Sequence, residues 1–329
     1  MAGMAAIQAV PAQQHPERRV NVQTFTTDKP MVHDPVMAEE DGHYYLFSTG
    51  RGIQVAESDN RKSWKVWRNR PVLDTIPQWT HDSVAGFRNH VWAPDIIRYR
   101  GKWWMAYSCS TFGKNNSAIG LLSTDRLRPL EAGGTVWKDE GCIVCSKARR
   151  DNWNAIDANF IIDQQGNPWM TFGSFWDGIQ LVQLDSTMHV HQPYGQRTIA
   201  RRKTGGGENP IEAPFVFFHD GFYYLFVSWD YCCKGMNSTY KVVVGRSESI
   251  EGPYLDKEGK DMADGGGTLV VEGDKKIYEA LGHSAAYRFG QHDYFICHGY
   301  SIADEGASVL VEEEIIWQEG WPTVALQTR

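Results

Sequence analysis

Long apolar runs are missing from this 329-residue chain. None approaches the ~20 residues that span a bilayer, which excludes a transmembrane helix. An excess of positive charge is missing too. The formal net charge is -7 and charged residues make up 22%, so there is no basic face for nucleic acid and no polybasic patch for a membrane. Cysteine is scarce: six are too few to be the framework of a chain this long. Cys142-Ile-Val-Cys145 has metal-site or redox spacing, but no second CxxC stands near it, and it reads as two ordinary thiols in a strand. Cys232 and Cys233 are adjacent, with Cα atoms about 3.8 Å apart, below the usual disulfide range. A bridge there would be strained, and would need a tight loop of the kind Lys234-Gly235 suggests. Helical periodicity is absent throughout. The glycine triplets at 205–207 and 265–267 therefore read as turns and not as a nucleotide site, and Phe112-Gly113-Lys114-Asn115 lacks the spacing of a phosphate loop.

Aromatic residues are plentiful: Trp 13, Tyr 14 and Phe 14. Such flat apolar surface either fills a large β core or lines a groove that stacks on sugar rings. Residues 1–24 have no strong apolar centre and are rich in Pro, Gln and Arg in their second half. They read as a leader, a tag or a disordered segment, without a clear signal peptide.

One pattern returns five times. A turn is followed by an aromatic strand and then by a second apolar strand: DGHYYLFSTG, RGKWWMAYSCS, QGNPWMTFGSF, DGFYYLFVSWD and GQHDYFICHGYS. The turn glycines are Gly42, Gly101, Gly166, Gly221 and Gly290, at intervals of roughly 55–70 residues. Five units of about four short strands predict an all-β, five-bladed β-propeller. Such a fold closes on itself, so residues 25–329 are expected to be a single domain. The Gly-His and Trp-Asp signature of WD40 scaffolds is absent.

In a propeller the first strand of each blade lines the central channel, and equivalent positions converge on the axis. Seven to nine residues before the turn glycines stand Asp34, Ala93, Asp157, Glu212 and His283. Three carboxylates and a histidine are thereby predicted to meet. Like charges in a partly desolvated pocket raise one another's pKa, so at least one carboxyl is expected to keep its proton. A protonated acid facing an ionised one is what glycoside hydrolysis requires. Trp92, in the axial stretch that lacks an acid, is a candidate for stacking on a furanose ring, and Gly113 would let the backbone approach a sugar.

The motifs VHDP, HVWAPDI, STFGKNNSAIGL, NAIDAN, TFGSFWDGIQL, IEAPF and YLFVSWDYCCKGMNSTYKVVVGRS resemble those of the arabinanases of glycoside hydrolase family 43, over about Val32 to Pro322. The resemblance implies endo-acting, inverting hydrolysis of α-1,5-arabinofuranosidic bonds in arabinan. Exo-acting or xyloside-cleaving relatives, or an inactive carbohydrate-binding propeller, are the alternatives. It implies Asp34 as general base, Glu212 as general acid, and Asp157 as the residue that orients Glu212 and keeps its pKa raised. It implies sugar contacts from Asp34, Trp92, Gly113, Asn154, Asp157, Ser174, Phe175 and Trp176. His283 would help to hold an ion on the axis, usually calcium and sometimes sodium or chloride, largely through water. The family usually has proline where this chain has Ala158, and GHNS where it has GHSA at 282–285. Arabinan and its oligosaccharides would be the partners, and a monomer is expected. A secreted or periplasmic location follows from the substrate, with a cytoplasmic enzyme for imported oligosaccharides as the alternative.

Overall fold

The computed structural model describes residues 24–190 and 195–327. The segment expected to be a leader lies, but for its last residue, outside the described residues. Thr24 is already strand, paired with Trp67.

Each turn glycine begins a hairpin, as expected. In the first, second and fourth units both central turn residues have positive φ: Asp41 56° and Gly42 78°, Arg100 49° and Gly101 79°, Asp220 45° and Gly221 83°. That is the tight two-residue connection whose twist matches antiparallel strands. The aromatic strands that follow are His43–Ser48, Lys102–Cys109, Pro168–Phe172, Phe222–Trp229 and His292–Ser301. Each pairs with an inner strand before it and an outer strand after it, and the sheets radiate as five blades. Blades one to four have four or five strands. The fifth has three of its own, Tyr278–Phe289, His292–Ser301 and Ala307–Glu314.

Residues 30–32 complete the fifth blade. Met31 bridges Val309, Val32 N–H donates to Ser308 O (3.1 Å), and Leu310 N–H donates to Pro30 O (3.0 Å). The only α-helix among the described residues is the short Gln78–Ser83.

Apolar side chains fill the wedges between blades. Trp104, Leu121, Phe160, Met170 and Phe172 pack between the second and third, while Ile179, Leu181, Val216, Leu225 and Tyr254 pack between the third and fourth. Each such burial stabilises by roughly 1.5–3 kcal/mol. Polar links stitch the inner strands. Asp95 accepts from Phe160 N–H (2.6 Å), Asn159 Oδ1 accepts from Val216 N–H (2.8 Å), and Tyr287 Oη accepts from Met37 N–H (3.0 Å). No helix among the described residues is long and apolar enough to cross a membrane.

Candidate active site

At the axis each inner strand breaks its extended course at one residue with positive φ: Asp34 54°, Ala93 42°, Asp157 58°, Ala213 53° and His283 53°. Bulges accompany the break in the second, fourth and fifth blades. Four of the five N–H groups so exposed are taken by a side chain at the end of the preceding blade's aromatic strand. His298 Nδ1 accepts from Asp34 (3.1 Å), Thr49 Oγ1 from Ala93 (2.8 Å), Ser108 Oγ from Asp157 (3.0 Å) and Ser228 Oγ from His283 (2.8 Å). In the fourth blade the N–H of Ala213 donates instead to Asp157 Oδ2 (3.3 Å). The repeat count had put Glu212 in register with Asp34 and Asp157. The backbone puts Ala213 there, and Glu212 stands one residue ahead.

That offset gives Glu212 surroundings unlike those of the other acids. Its two oxygens accept from the hydroxyls of Ser174 (2.7 Å) and Tyr240 (2.8 Å). Tyr240 is buried, and burial among Glu212, Asp157 and Asp34 holds its hydroxyl well above the usual phenol range, so it stays a donor. Its ring lies flat against Gly282, where an added Cβ would stand 1.9 Å from Tyr240 Cδ1. The glycine of Gly282-His283 is therefore required for close approach.

Asp34 is the hub of an imidazole cluster. Its Oδ1 is 2.9 Å from both His33 Nδ1 and His283 Nδ1, and Thr49 Oγ1 donates to Oδ2 at 2.5 Å. His33 stacks on His298 with ring centroids 3.9 Å apart, and Tyr300 Oη lies 3.2 Å from His33 Nε2. Burial alone would raise the Asp34 carboxyl, but His283 and His33 override it and hold it well below the ordinary carboxylate range. His298 goes the other way: burial beside two imidazoles keeps it neutral, in keeping with its Nδ1 acting as an acceptor. Asp157 is pushed well above the ordinary range by burial, with Glu212 and Asp34 adding to it against the pull of His283. The expected split between an ionised and a protonated carboxyl is thus present, with Asp157 on the protonated side.

These groups open onto one cavity of about 950 Å³. Every residue expected at the site lines it: Asp34, Trp92, Gly113, Asn154, Asp157, Ser174, Phe175, Trp176, Glu212 and His283. Asn154 Oδ1 accepts from Ser117 (2.7 Å), which turns the amide nitrogen to the other side of the group. The rim adds Phe112 and Lys114 on one side, and Glu208, Asn209 and Tyr231 to Lys234 on another. Cys232 and Cys233 are joined in a disulfide there, and Cys233 N–H donates to Tyr300 Oη (2.7 Å).

Sequence reasoning gave no role to His33, Thr49, Tyr240, His298 or Tyr300. His33 was visible beside Asp34. The others carry no local signal, since their partners lie far off in the chain, 264 residues away for His298 and Asp34. Asn115, which begins an Asn-Asn-Ser sequon, is no glycosylation acceptor here, because its buried amide donates to Asp151 O and Trp153 O.

The sequence profile of glycosyl hydrolases family 43 matches residues 28–322. The chain belongs to this family. This family 43 hydrolase is 42% identical over 299 residues to the extracellular endo-α-(1→5)-L-arabinanase 1 of Bacillus subtilis, covering 89% of this chain and 87% of that one. Among solved structures, an exo-1,5-α-L-arabinanase from a bovine ruminal metagenomic library superposes with a TM-score of 0.86 at 52% identity, over 91% of this chain and 98% of that one. The α-L-arabinanase of Cellvibrio cellulosa, solved with arabinohexaose, gives 0.84 at 40% identity over 90% and 96%.

Proposed function

We propose that this family 43 hydrolase cuts α-1,5-linked arabinofuranosyl bonds within the backbone of arabinan, by single displacement with inversion. The observation that carries the reading is the contrast between Asp34 and Glu212 across one groove. Asp34, kept anionic by His33 and His283, is suited to take a proton from water. Glu212, fixed by Ser174 and Tyr240, is suited to deliver one to the leaving oxygen. Asp157 keeps a proton beside Glu212, and so limits the negative charge that Glu212 meets as it ionises.

Trp92, Phe175 and Trp176 offer flat faces for furanose rings. The Asn154 amide supplies a donor for a sugar hydroxyl. At Gly113, φ is 72° and nothing lies within 4 Å of where a Cβ would stand, so the backbone is open to a sugar.

A hydrated cation, calcium for preference, fits beside His283. That imidazole directs Nδ1 to Asp34 Oδ1 (2.9 Å), which leaves Nε2 to the ion's water shell, and the Asp34 carboxylate supplies the negative charge. Bound there, the ion would fix the imidazole and offset the carboxylate charge. Calcium titration followed by calorimetry, with His283→Gln as control, tests it.

Internal cutting is read from the groove and from the relative named as an endo-arabinanase. Attack from a chain end is the second reading, favoured by the 52% identity to the metagenomic exo-arabinanase. Linear debranched α-1,5-arabinan separates them. A fast fall in viscosity with a spread of early oligomers is expected; slow viscosity loss with only arabinose or short uniform products would replace internal by terminal cutting. We place the enzyme outside the cytoplasm, as a monomer. The Cys232–Cys233 disulfide suits an oxidising compartment, and the Bacillus subtilis relative is named extracellular. Cell fractionation and mass in solution check both.

A further inference from the structure

The pair Cys142 and Cys145 lies outside the catalytic cavity, on the outer strand of the second blade, Lys138–Ser146. Three residues apart on a regular strand, they would face opposite sides of the sheet. They do not, because a bulge falls between Cys142 and Val144. Pairing across three strands sets Cys109, Ala118 and Cys145 in one row and Tyr107, Gly120 and Cys142 in the next. The rows are two residues apart on the middle strand, so all six positions share one face. The two thiols therefore stand on neighbouring rows of one face.

Two further observations mark the cluster. Tyr107 lies across Gly120, where a Cβ would stand 2.3 Å from its Cζ, and its buried hydroxyl has no hydrogen-bond partner among the described residues. The phenol is electrostatically coupled to Cys109 and Cys142. Arg150, which donates to Cys145 O (3.4 Å), and Lys147 bring positive charge to the open side of Cys145. Both Cys142 and Cys145 are half-buried, whereas Cys109 is fully enclosed.

We propose that Cys142 and Cys145 form a reversible dithiol–disulfide pair, with Cys145 the attacking and Cys142 the resolving thiol. The oxidant is a small disulfide of the glutathione class. The Cys145 thiolate attacks one of its sulfurs and expels the other as a thiolate. Cys142 then loses its proton and attacks Cys145 Sγ, releasing the second thiolate. Two protein S–H bonds become one S–S bond, and the oxidant is reduced to two thiols. The asymmetry between the two thiols follows from their surroundings. The neighbouring Cys142 thiol, and then Arg150 and Lys147, hold Cys145 below the ordinary thiol range. The Cys145 thiol in turn, together with burial near Cys109, drives Cys142 up. Cys109, Asp139 and Tyr107 are titratable neighbours of the pair.

The tryptic peptide Asp139–Lys147 carries both thiols and no other cysteine, so one peptide reads the reaction. After the full chain is incubated with oxidised glutathione at neutral pH, that peptide should have lost two hydrogens and should resist alkylation. Cys109 and Cys297 should still alkylate once the chain is unfolded. Cys142→Ser should hold a stable glutathione on Cys145, and Cys145→Ser should take none on Cys142. With the reduced chain, alkylation of Cys145 should reach half its limiting rate at a lower pH than that of an ordinary thiol. A wild-type peptide that alkylates at both positions after oxidation, or that keeps glutathione, overturns the proposal. Equal adducts on the two single variants overturn the assigned order. The wild-type peptide alone decides whether the bond forms, so a variant that fails to fold does not stop the test.

Discussion

Asp34→Asn and Glu212→Gln keep shape and hydrogen-bonding reach while removing the proton chemistry, so each tests a role without opening a cavity. Each is expected to lower kcat on linear arabinan by roughly 10²–10⁴-fold, with little change in melting temperature for Glu212→Gln and a fall for Asp34→Asn, which removes the charge paired with His33 and His283; a variant within a few-fold of wild type would lose its assigned role. Tyr240 is the subtler case. Its hydroxyl is one of two that fix Glu212, and its ring needs the bare backbone of Gly282. Tyr240→Phe removes one hydrogen bond from a buried acid, worth about 1–1.5 kcal/mol, and should lower kcat about tenfold while leaving KM nearly unchanged. Gly282→Ala should lower kcat at least as much, since the added methyl must displace the ring. Equal losses in KM would instead assign Tyr240 to sugar binding.

Among the elements, the inner strands were legible in the sequence and their couplings were not. The turn glycines and aromatic strands repeat within local windows, so periodicity exposed them, and Asp34 and Asp157 followed by counting. The same count failed by one residue at Glu212, because the break in that strand falls at Ala213 and only φ shows it. Thr49, Ser108, Ser228 and His298 each grip the next blade's axial N–H, a pairing made by closure of the ring and by nothing nearby in the chain.

Asp95 belongs to the same class of unseen links. It joins the second and third blades through Phe160 N–H, and burial pushes its carboxyl up to about 7 despite that bond. A raised carboxyl keeps its proton in the folded state after the unfolded chain has lost its own. Its stabilising effect is therefore complete below about pH 4 and is lost as pH rises through about 7. The loss amounts to about 4 kcal/mol at about 1.4 kcal/mol per pH unit. Asp95→Asn cannot ionise and retains an oxygen for Phe160 N–H. Thermal unfolding from pH 4 to 8 should show the variant gaining on wild type across this window; parallel curves would assign the pH dependence to other groups.

For the molecule as a whole, catalysis and ring closure share one short stretch of chain. Residues 30–32 complete the fifth blade, and Asp34 lies two residues beyond, with its own N–H held by His298 of that blade. Asp34, the proposed general base, is thus placed by the seam between first and last blades. Val32→Pro deletes the N–H that donates to Ser308 O while leaving an apolar side chain in the core. The loss of one buried strand hydrogen bond, with its acceptor left unpaired, should cost about 2 kcal/mol. Melting temperature should fall by a few degrees, and kcat should fall with it as Asp34 shifts against His283 and Thr49. Met31→Ala, at an exposed side chain in the same segment, should change neither. If Val32→Pro lowered stability but left kcat intact, Asp34 would be held by its imidazoles and hydroxyl alone, and the seam would serve only to close the ring.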